Sequence, residues 1–402
     1  MSLTFEERVA VVDRLSAAAS ESPRRYRMRV VAWIILGYAI VGTLLALSLL
    51  LTLGVVALLV MTRTAFLISV LWVPVMFGYT IARSLFVRID PPSGRVLRRH
   101  EAPRLFAIVD EIRERVRVPR LDGVLITADM NAAVVETPRF GGLFGWRRHL
   151  IIGLPLMITH SAEEMKAVLA HELGHLSAQH GRVMAWSWRV RMTWGMVLAS
   201  IDARRGTTAR MLQKLMHWYG EHLMLTTLVL ARRQELAADE TSAELTSRET
   251  AARSLAWLAV ATALIDRNYW TPLWERVASE PQPPANPFHD LLRRRAEVLA
   301  PPFDAALATE LERRTALDDT HPALAARLEQ LGIVSPAIAL APRCAAEELL
   351  GRTAAAVIAE TDREWRAVVG PQWQERHQAL GAARQQVDNA EGSLHDKAEA
   401  LV

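Results

Sequence analysis

Cysteine and lysine are almost missing from this chain of 402 residues. The single cysteine, Cys344, excludes an internal disulfide and fits a reducing compartment. It reads as a small core or surface residue. Lysine occurs only at Lys166, Lys214 and Lys397, so arginine carries the basic balance, a net charge of +4 and a pI near 9.5. No DNA- or RNA-binding signature accompanies that charge, and no nucleic-acid partner is expected. An anionic membrane surface accounts for the arginines better. A short apolar leader close to the start is missing too. Residues 1–29 instead carry a Thr4-x-x-Glu7 capping box, a short amphipathic run through Val9, Val12 and Leu15, and the cluster Arg24-Arg25-Tyr26-Arg27-Met28-Arg29. They read as a retained cytoplasmic amphipathic segment.

Apolar residues, by contrast, are plentiful: 51% of the chain, with a mean hydropathy of +0.13. Val30 to Thr62 holds no charge, and Thr64 to Ala82 holds none either; only Arg63 separates the two runs. A membrane helix needs about 20 such residues, so residues 30–86 are expected to form a two-helix transmembrane hairpin. A buried helical hairpin of a soluble protein is the alternative. Pro74 can kink the second helix, which membranes tolerate. Arginines precede the first span, and Arg83, Arg88, Arg95, Arg98 and Arg99 follow the second. The positive-inside rule then puts both ends of the chain on the cytoplasmic side of the cell's inner membrane, as a multi-pass protein.

Pro91-Pro92-Ser93-Gly94 reads as a linker. Residues 102–116 follow as an amphipathic helix with Leu105, Ile108, Val109 and Ile112 on one face. The apolar runs Gly123–Ala128, Ala132–Val135 and Leu150–Ile152 read as strands of a small sheet, with Phe140–Leu143 a loop. Next comes His171-Glu172-Leu173-Gly174-His175, an HExxH sequence. A capping box, Ser161-x-x-Glu164, and the stripe Met165, Val168, Leu169, Leu176 predict a helix there, with Gly181 a stop signal. On a helix, His171 and His175 stack one turn apart and can close on one metal ion, and two neutral imidazoles suit Zn²⁺. Glu172 lies about a third of a turn away, where it can take a proton from water rather than share the metal. Gly174 costs about 1 kcal/mol in a helix interior, so a neighbour is expected to pack closely on it. Two surface histidines on an ordinary helix are the bland alternative.

A catalytic zinc takes three protein ligands. The best source of the third is Arg232-Arg233-Gln234-Glu235-Leu236-Ala237-Ala238-Asp239, where Glu235 and Asp239 share a face one turn apart. One carboxylate can bind the metal and the other can accept the free ring N–H of a ligand histidine.

HELGH followed by E-x-x-A-D, behind an N-terminal hydrophobic hairpin, resembles the membrane-bound zinc metallopeptidases that include the HtpX heat-shock protease and the CAAX prenyl protease, which are gluzincins. Asn131-Ala132 resembles that family's N-A segment on the edge strand beside the active site, and Thr320-His321-Pro322 with Arg327 its H-P-x-x-x-x-R signature. The resemblance spans roughly residues 1–340. It implies one zinc ion per chain on His171, His175 and Glu235, with Glu172 as general base and Asp239 behind a ligand histidine. Asn131, Ala132 and Arg327 are expected to meet the substrate. His321 can donate to the oxyanion of the tetrahedral intermediate, with a helix cap as its alternative role. His180 reads as a C-terminal cap.

The fold implied is mainly α with a small β-sheet (α+β): a zincin-like metalloprotease domain over 87–340, the hairpin before it, and a helical appendage over 341–402 that docks through Trp365 and Trp373. Relatives often carry further spans between the two metal motifs. Here Arg189 and Arg191 interrupt Val183–Ile201, and Glu221 and His222 interrupt Met211–Ala231, so these read as helices packed on the domain or lying in the membrane interface. Arg253–Ile265 reads as a core helix, Glu280–Pro287 as a loop, and Pro322 as suited to a helix's first turn. The expected function is a membrane-anchored zinc endopeptidase acting on protein or peptide substrates, with membrane-protein quality control as its setting. The rivals are a CAAX-type processing protease, whose many spans this chain lacks, and a scaffold with a retained zinc site. A structural site would fill the fourth position with a protein ligand, and no second His or Cys lies at ligand spacing. Substrate identity and oligomeric state are left open.

Overall fold

The computed structural model describes residues 4–85, 92–138, 146–176, Val190, Trp194, 207–317 and 319–399. Thr4 caps α1 (Phe5–Glu21), accepting from the Glu7 amide while the Glu7 carboxylate accepts from the Thr4 amide. Pro23 then opens α2 (Pro23–Thr62), a helix of 40 residues. The helix thus starts seven residues before the apolar run, because proline suits a first turn and the arginines that follow are good helix formers. Arg63, at φ 52°, ends α2 in the left-handed conformation. α3 (Phe66–Leu85) returns along α2. Pro74 sits inside α3, and its carbonyl accepts from the buried Ser48 hydroxyl at 2.6 Å. By length and composition α2 is able to cross a membrane, and Phe66–Tyr79 of α3 is a shorter apolar helix.

The body that follows begins with β1 (Arg95–Leu97), a strand not expected from the sequence because three residues show no periodicity. Then come α4 (Pro103–Arg115), β2 (Gly123–Thr127), β3 (Ala132–Pro138), β4 (Trp146–Gly153), α5 (Leu154–Thr159) and α6 (Ala162–Gly174). The sheet order is β1-β2-β4-β3, with β2 and β4 parallel and the other pairs antiparallel. β3 is therefore an edge strand, as expected of the segment starting at Ala132. α6 ends at Gly174, well short of Gly181. Gly181, His180, the Phe140–Leu143 loop and all of Val183–Ile201 except Val190 and Trp194 lie outside the described residues.

α7 (Thr207–Leu245) corrects one expectation. Met211–Ala231 is not a separate helix but the first part of a 39-residue helix that also carries Glu235 and Asp239. Its residues Met216, Tyr219, Leu223, Leu228 and Val229 share a core with Val12 and Leu15 of α1 and Val30 and Ile34 of α2. α8 (Arg248–Ile265) is the expected core helix, with Trp257 fully buried. Short helical turns lead through Thr271–Glu275 and Pro287–Arg293 to α9 (Phe303–Glu312) and α10 (Leu324–Leu331). Pro322 stands two residues before α10, outside its first turn. α11 (Ala345–Leu350) and α12 (Ala354–Glu399) close the chain. Trp373 is fully buried, but docking is not confined to the tryptophans. Cys344, Ala345, Leu349, Val357 and Ile358 share the main core with the sheet, α4, α5, α6 and α8. The residues from Cys344 to Trp373 are thus part of the body, because the small residues at the start of α11 let it press against α4 and α5.

Candidate metal centre

α6 begins where the sequence places it. Ser161 accepts from the Glu164 amide, and the Glu164 carboxylate accepts from the Ser161 amide at 2.8 Å. Met165, Leu169 and Leu173 are buried against the sheet and α8, which fixes the rotation of the helix. His171 and His175 are thereby turned toward α7. The two helices meet closely at Gly174, where an added Cβ would stand 3.2 Å from Thr241 Cβ. The Ser242 hydroxyl pins the same contact by donating to the Ala167 carbonyl at 2.8 Å.

This packing brings three residues together. His171 Nε2 and His175 Nε2 are 3.2 Å apart; the first lies 3.4 Å from Glu235 Oε2 and the second 3.4 Å from Glu235 Oε1. Zinc bonds of about 2.0–2.1 Å in a tetrahedron separate the donor atoms by about 3.3 Å, a spacing that the two nitrogens have from each other and that each has from the carboxylate oxygen nearest to it. Glu235 Oε2 is buried and makes no hydrogen bond. A buried carboxylate with one unsatisfied oxygen beside the His171 nitrogen and its other oxygen beside the His175 nitrogen is a donor set that a cation completes. Among the described residues, His171, His175 and Glu235 are the group able to hold a metal in this way. Of the alternatives left open in E-x-x-x-D, geometry favours Glu235 for the metal.

Asp239 stands behind. It is 1% exposed, and its Oδ1 lies 2.9 Å from His171 Nδ1, which leaves Nε2 of that ring turned to the metal position. Arg327 Nε donates to Asp239 Oδ2 at 2.8 Å and its Nη2 to Oδ1 at 2.6 Å, a two-point clamp. The reason is that α10 lies against α7, so the arginine one turn into α10 meets the buried carboxylate first. Arg327 also lines a small pocket with Glu172 and His321, so the structure adds a bond to Asp239 that the expected substrate role did not include.

The charges follow from this arrangement. Burial alone would lower the His171 pKa, but the carboxylates of Asp239 and Glu235 outweigh it and raise it to about 9 among the protein groups. Burial would raise Glu235, yet the two histidines hold it down at about 2. Burial pushes Glu172 up to about 7, against the pull of His171 and with the help of Glu235.

Glu172, His171, Asn131 and His321 line one small pocket with Val168, Leu255 and Leu258. Asn131 is exposed at its rim, and Ala132 is buried as the first residue of β3. His321 is 61% exposed in its side chain; its Nε2 lies 3.7 Å from Glu235 Oε2. Sequence reading missed what places it. Asp319 Oδ1 accepts from the His321 amide at 2.8 Å and lies 3.2 Å from its Nδ1. Arg232 of α7 in turn donates to the carbonyls of Ala316 and Asp319. The D-x-H spacing, in which an aspartate bonds the backbone two residues on, was the available signal. Gly153 was missed too. Its amide donates to the Asn131 carbonyl at 2.7 Å, and a Cβ there would fall 1.8 Å from the Asp129 carbonyl oxygen. Only glycine lets the turn before β3 approach β4 so closely.

Comparison with known proteins adds one finding. Residues 140–333, which include the two histidines, Glu172, Glu235, Asp239, His321 and Arg327, match the model of Peptidase family M48. No match was found among curated proteins or among solved structures.

Proposed function

We propose that this chain, whose residues 140–333 match the model of Peptidase family M48, a metallopeptidase family, is a membrane-anchored zinc endopeptidase. The observation that carries the reading is the group of His171, His175 and Glu235, in which the two Nε2 atoms are 3.2 Å apart, each lies 3.4 Å from a different oxygen of one carboxylate, and one of those oxygens is buried with no hydrogen bond. When bound there, zinc supplies Lewis acidity and makes hydroxide available from water near neutral pH.

The chain's own residues do the rest. Glu172 takes the proton of the attacking water and later gives it to the leaving amine. His321, turned toward the metal position by Asp319, donates to the oxyanion that forms on the peptide carbonyl. The free edge of β3 offers backbone groups to an extended substrate, which would enter the sheet as a further strand past Asn131 and Ala132. Asp239, clamped by Arg327, keeps the His171 ring in the tautomer that leaves Nε2 free.

Two apolar helices of 40 and 20 residues anchor the body. The arginines in the first turns of α2, and those from Arg83 onward at the end of α3 and after it, put the body and both chain ends on the cytoplasmic side of the inner membrane. Proteins or peptides reaching that surface are the substrates, consistent with a part in membrane-protein quality control.

The test compares purified wild type with Glu172→Gln on an unfolded protein, with zinc measured in both. Glutamine keeps the size and cannot accept the proton. Turnover should fall roughly 10²–10⁴-fold with zinc retained. Loss of zinc would make Glu172 a ligand, and unchanged turnover would mean that the HExxH segment is not the catalytic centre.

A further inference from the structure

Three helices join the anchor to the metal centre, and their contacts fix a distance. α1 and α7 run side by side in the same direction. Arg8 pairs with Glu221 at 2.8 Å, and Arg233 donates to the Ala19 carbonyl. α2 runs the opposite way along α7. The Tyr26 hydroxyl donates to the Thr226 carbonyl at 2.6 Å, and further along α2 the Tyr219 hydroxyl donates to the Trp33 carbonyl at 2.7 Å. There the Trp33 ring also stacks on His222, with centroids 5.5 Å apart. Beyond this level α2 exposes Ile35, Leu36, Tyr38, Leu47, Leu50 and their like. So as α2 advances toward its bare apolar stretch, α7 leads away from it, toward Glu235.

The ion pair of Arg8 and Glu221, with exposed Glu6 and Glu7 beside it, does not belong in hydrocarbon. The edge of the bilayer's apolar core therefore lies on the α2 side of Glu221. Glu235 is 14 residues further along α7, which at 1.5 Å per residue is about 21 Å. The ordinary tilt of a membrane helix, about 20°, takes off only about 1 Å. Glu221 to Leu245 contains neither glycine nor proline, and the helix is continuous across it, so the distance is held by a stiff rod.

We propose that this part of α7 is a spacer that keeps the metal centre at least about 20 Å from the hydrocarbon, and so sets which bonds of a membrane-tethered polypeptide can be cut. An extended chain advances about 3.3 Å per residue. A bond closer than about six residues to the bilayer core cannot reach the centre while its tether stays in the membrane. The substrates this favours are flexible tails and long loops that stand clear of the bilayer. A bond next to a lipid-modified residue is out of reach. The proposal rests on the anchored-peptidase reading above.

The experiment uses the full-length protein in liposomes. A peptide segment first shown to be cut when free in solution is joined to a single membrane span through flexible linkers of roughly two to fifteen residues. Cut bonds are mapped by mass spectrometry, with Glu172→Gln as the blank. The expected result is cutting only at bonds beyond about six residues, with rates at least roughly tenfold lower for nearer bonds. Efficient cutting within about three residues of the span would overturn the spacer while leaving the peptidase intact. So would tethered segments that stay whole at every length while the free segment is cut. If the free segment is not cut by wild type, the peptidase reading fails. If the protein does not float with the liposomes, the anchoring fails. The spacer falls with either.

Discussion

Arg327→Met separates two accounts of one arginine. If Arg327 contacted substrate, its loss would raise KM and leave the fold alone. In the structure its guanidinium makes both of its short bonds to Asp239, at 2.8 and 2.6 Å, and Asp239 is 1% exposed. Methionine fills much of the same volume and removes the charge. Asp239 is then a buried carboxylate with only the His171 ring beside it. Breaking a buried pair from one side costs about 3–5 kcal/mol. The His171 contact survives and the Arg327 side chain is 12% exposed, so the lower end, about 3 kcal/mol, is expected. That is a large part of the stability of an ordinary domain. Adding Asp239→Asn removes the stranded charge, so the double variant should be more stable than the two single losses added together, by about 1–3 kcal/mol. The assay is unfolding in mixed detergent micelles for wild type, both single variants and the double. Strict additivity, or an Arg327→Met protein of unchanged stability whose KM alone has risen, would refute the clamp.

Two further perturbations probe the frame around the site. His160 is fully buried beneath α6, with its Nε2 unpartnered, and burial lowers its pKa to about 4 from an ordinary 6.5. The unfolded chain therefore binds a proton between these values that the folded chain does not, so stability from this group is present above pH 6.5 and is lost as pH falls toward 4, by an amount on the order of 3 kcal/mol. Wild type minus His160→Gln, measured by unfolding from pH 7 to 4, should isolate that slope; parallel curves would argue against it. Gly153→Ala puts a Cβ 1.8 Å from the Asp129 carbonyl oxygen and forces apart the turn that leads into β3. Overpacking of this kind costs about 1–3 kcal/mol, and here it should also raise KM for extended peptides while zinc content stays unchanged. An alanine variant with normal KM would mean that the substrate does not use this edge.

The sequence by itself determined the local elements and which residues carry the proposed chemistry. His171 and His175 are spaced for one helix face, with Glu172 about a third of a turn from them, and helical period is a local property that needs no tertiary contact to be read. The same holds for the Ser161 and Thr4 caps, the strands around Val124, Val134 and Ile151, and the apolar runs on either side of Arg63, all set by residues within a few positions of one another. What the local pattern left open was every choice that depends on a neighbour distant in the chain. Between Glu235 and Asp239 the spacing is symmetrical. The approach of α6 at Gly174 sets Glu235 beside both Nε2 atoms, in a group that could hold a metal, and sets Asp239 behind the His171 ring. Arg327 owes its expected substrate contact to the resemblance alone, and only the packing of α10 on α7 shows the buried carboxylate it answers. Met211–Ala231 carries charges that deny it a membrane span, but its continuity with the helix of Glu235, and the bundle it forms with α1 and α2, arise from contacts some 200 residues apart. The α11 segment shows the same limit: its alanines say helix, and only the shape of the groove beside α4 and α5 makes it core. Hydrogen-bond spacing along one helix is written in the sequence, whereas which helix lies beside it is decided by how buried surfaces fit, and that is settled only when the whole chain packs.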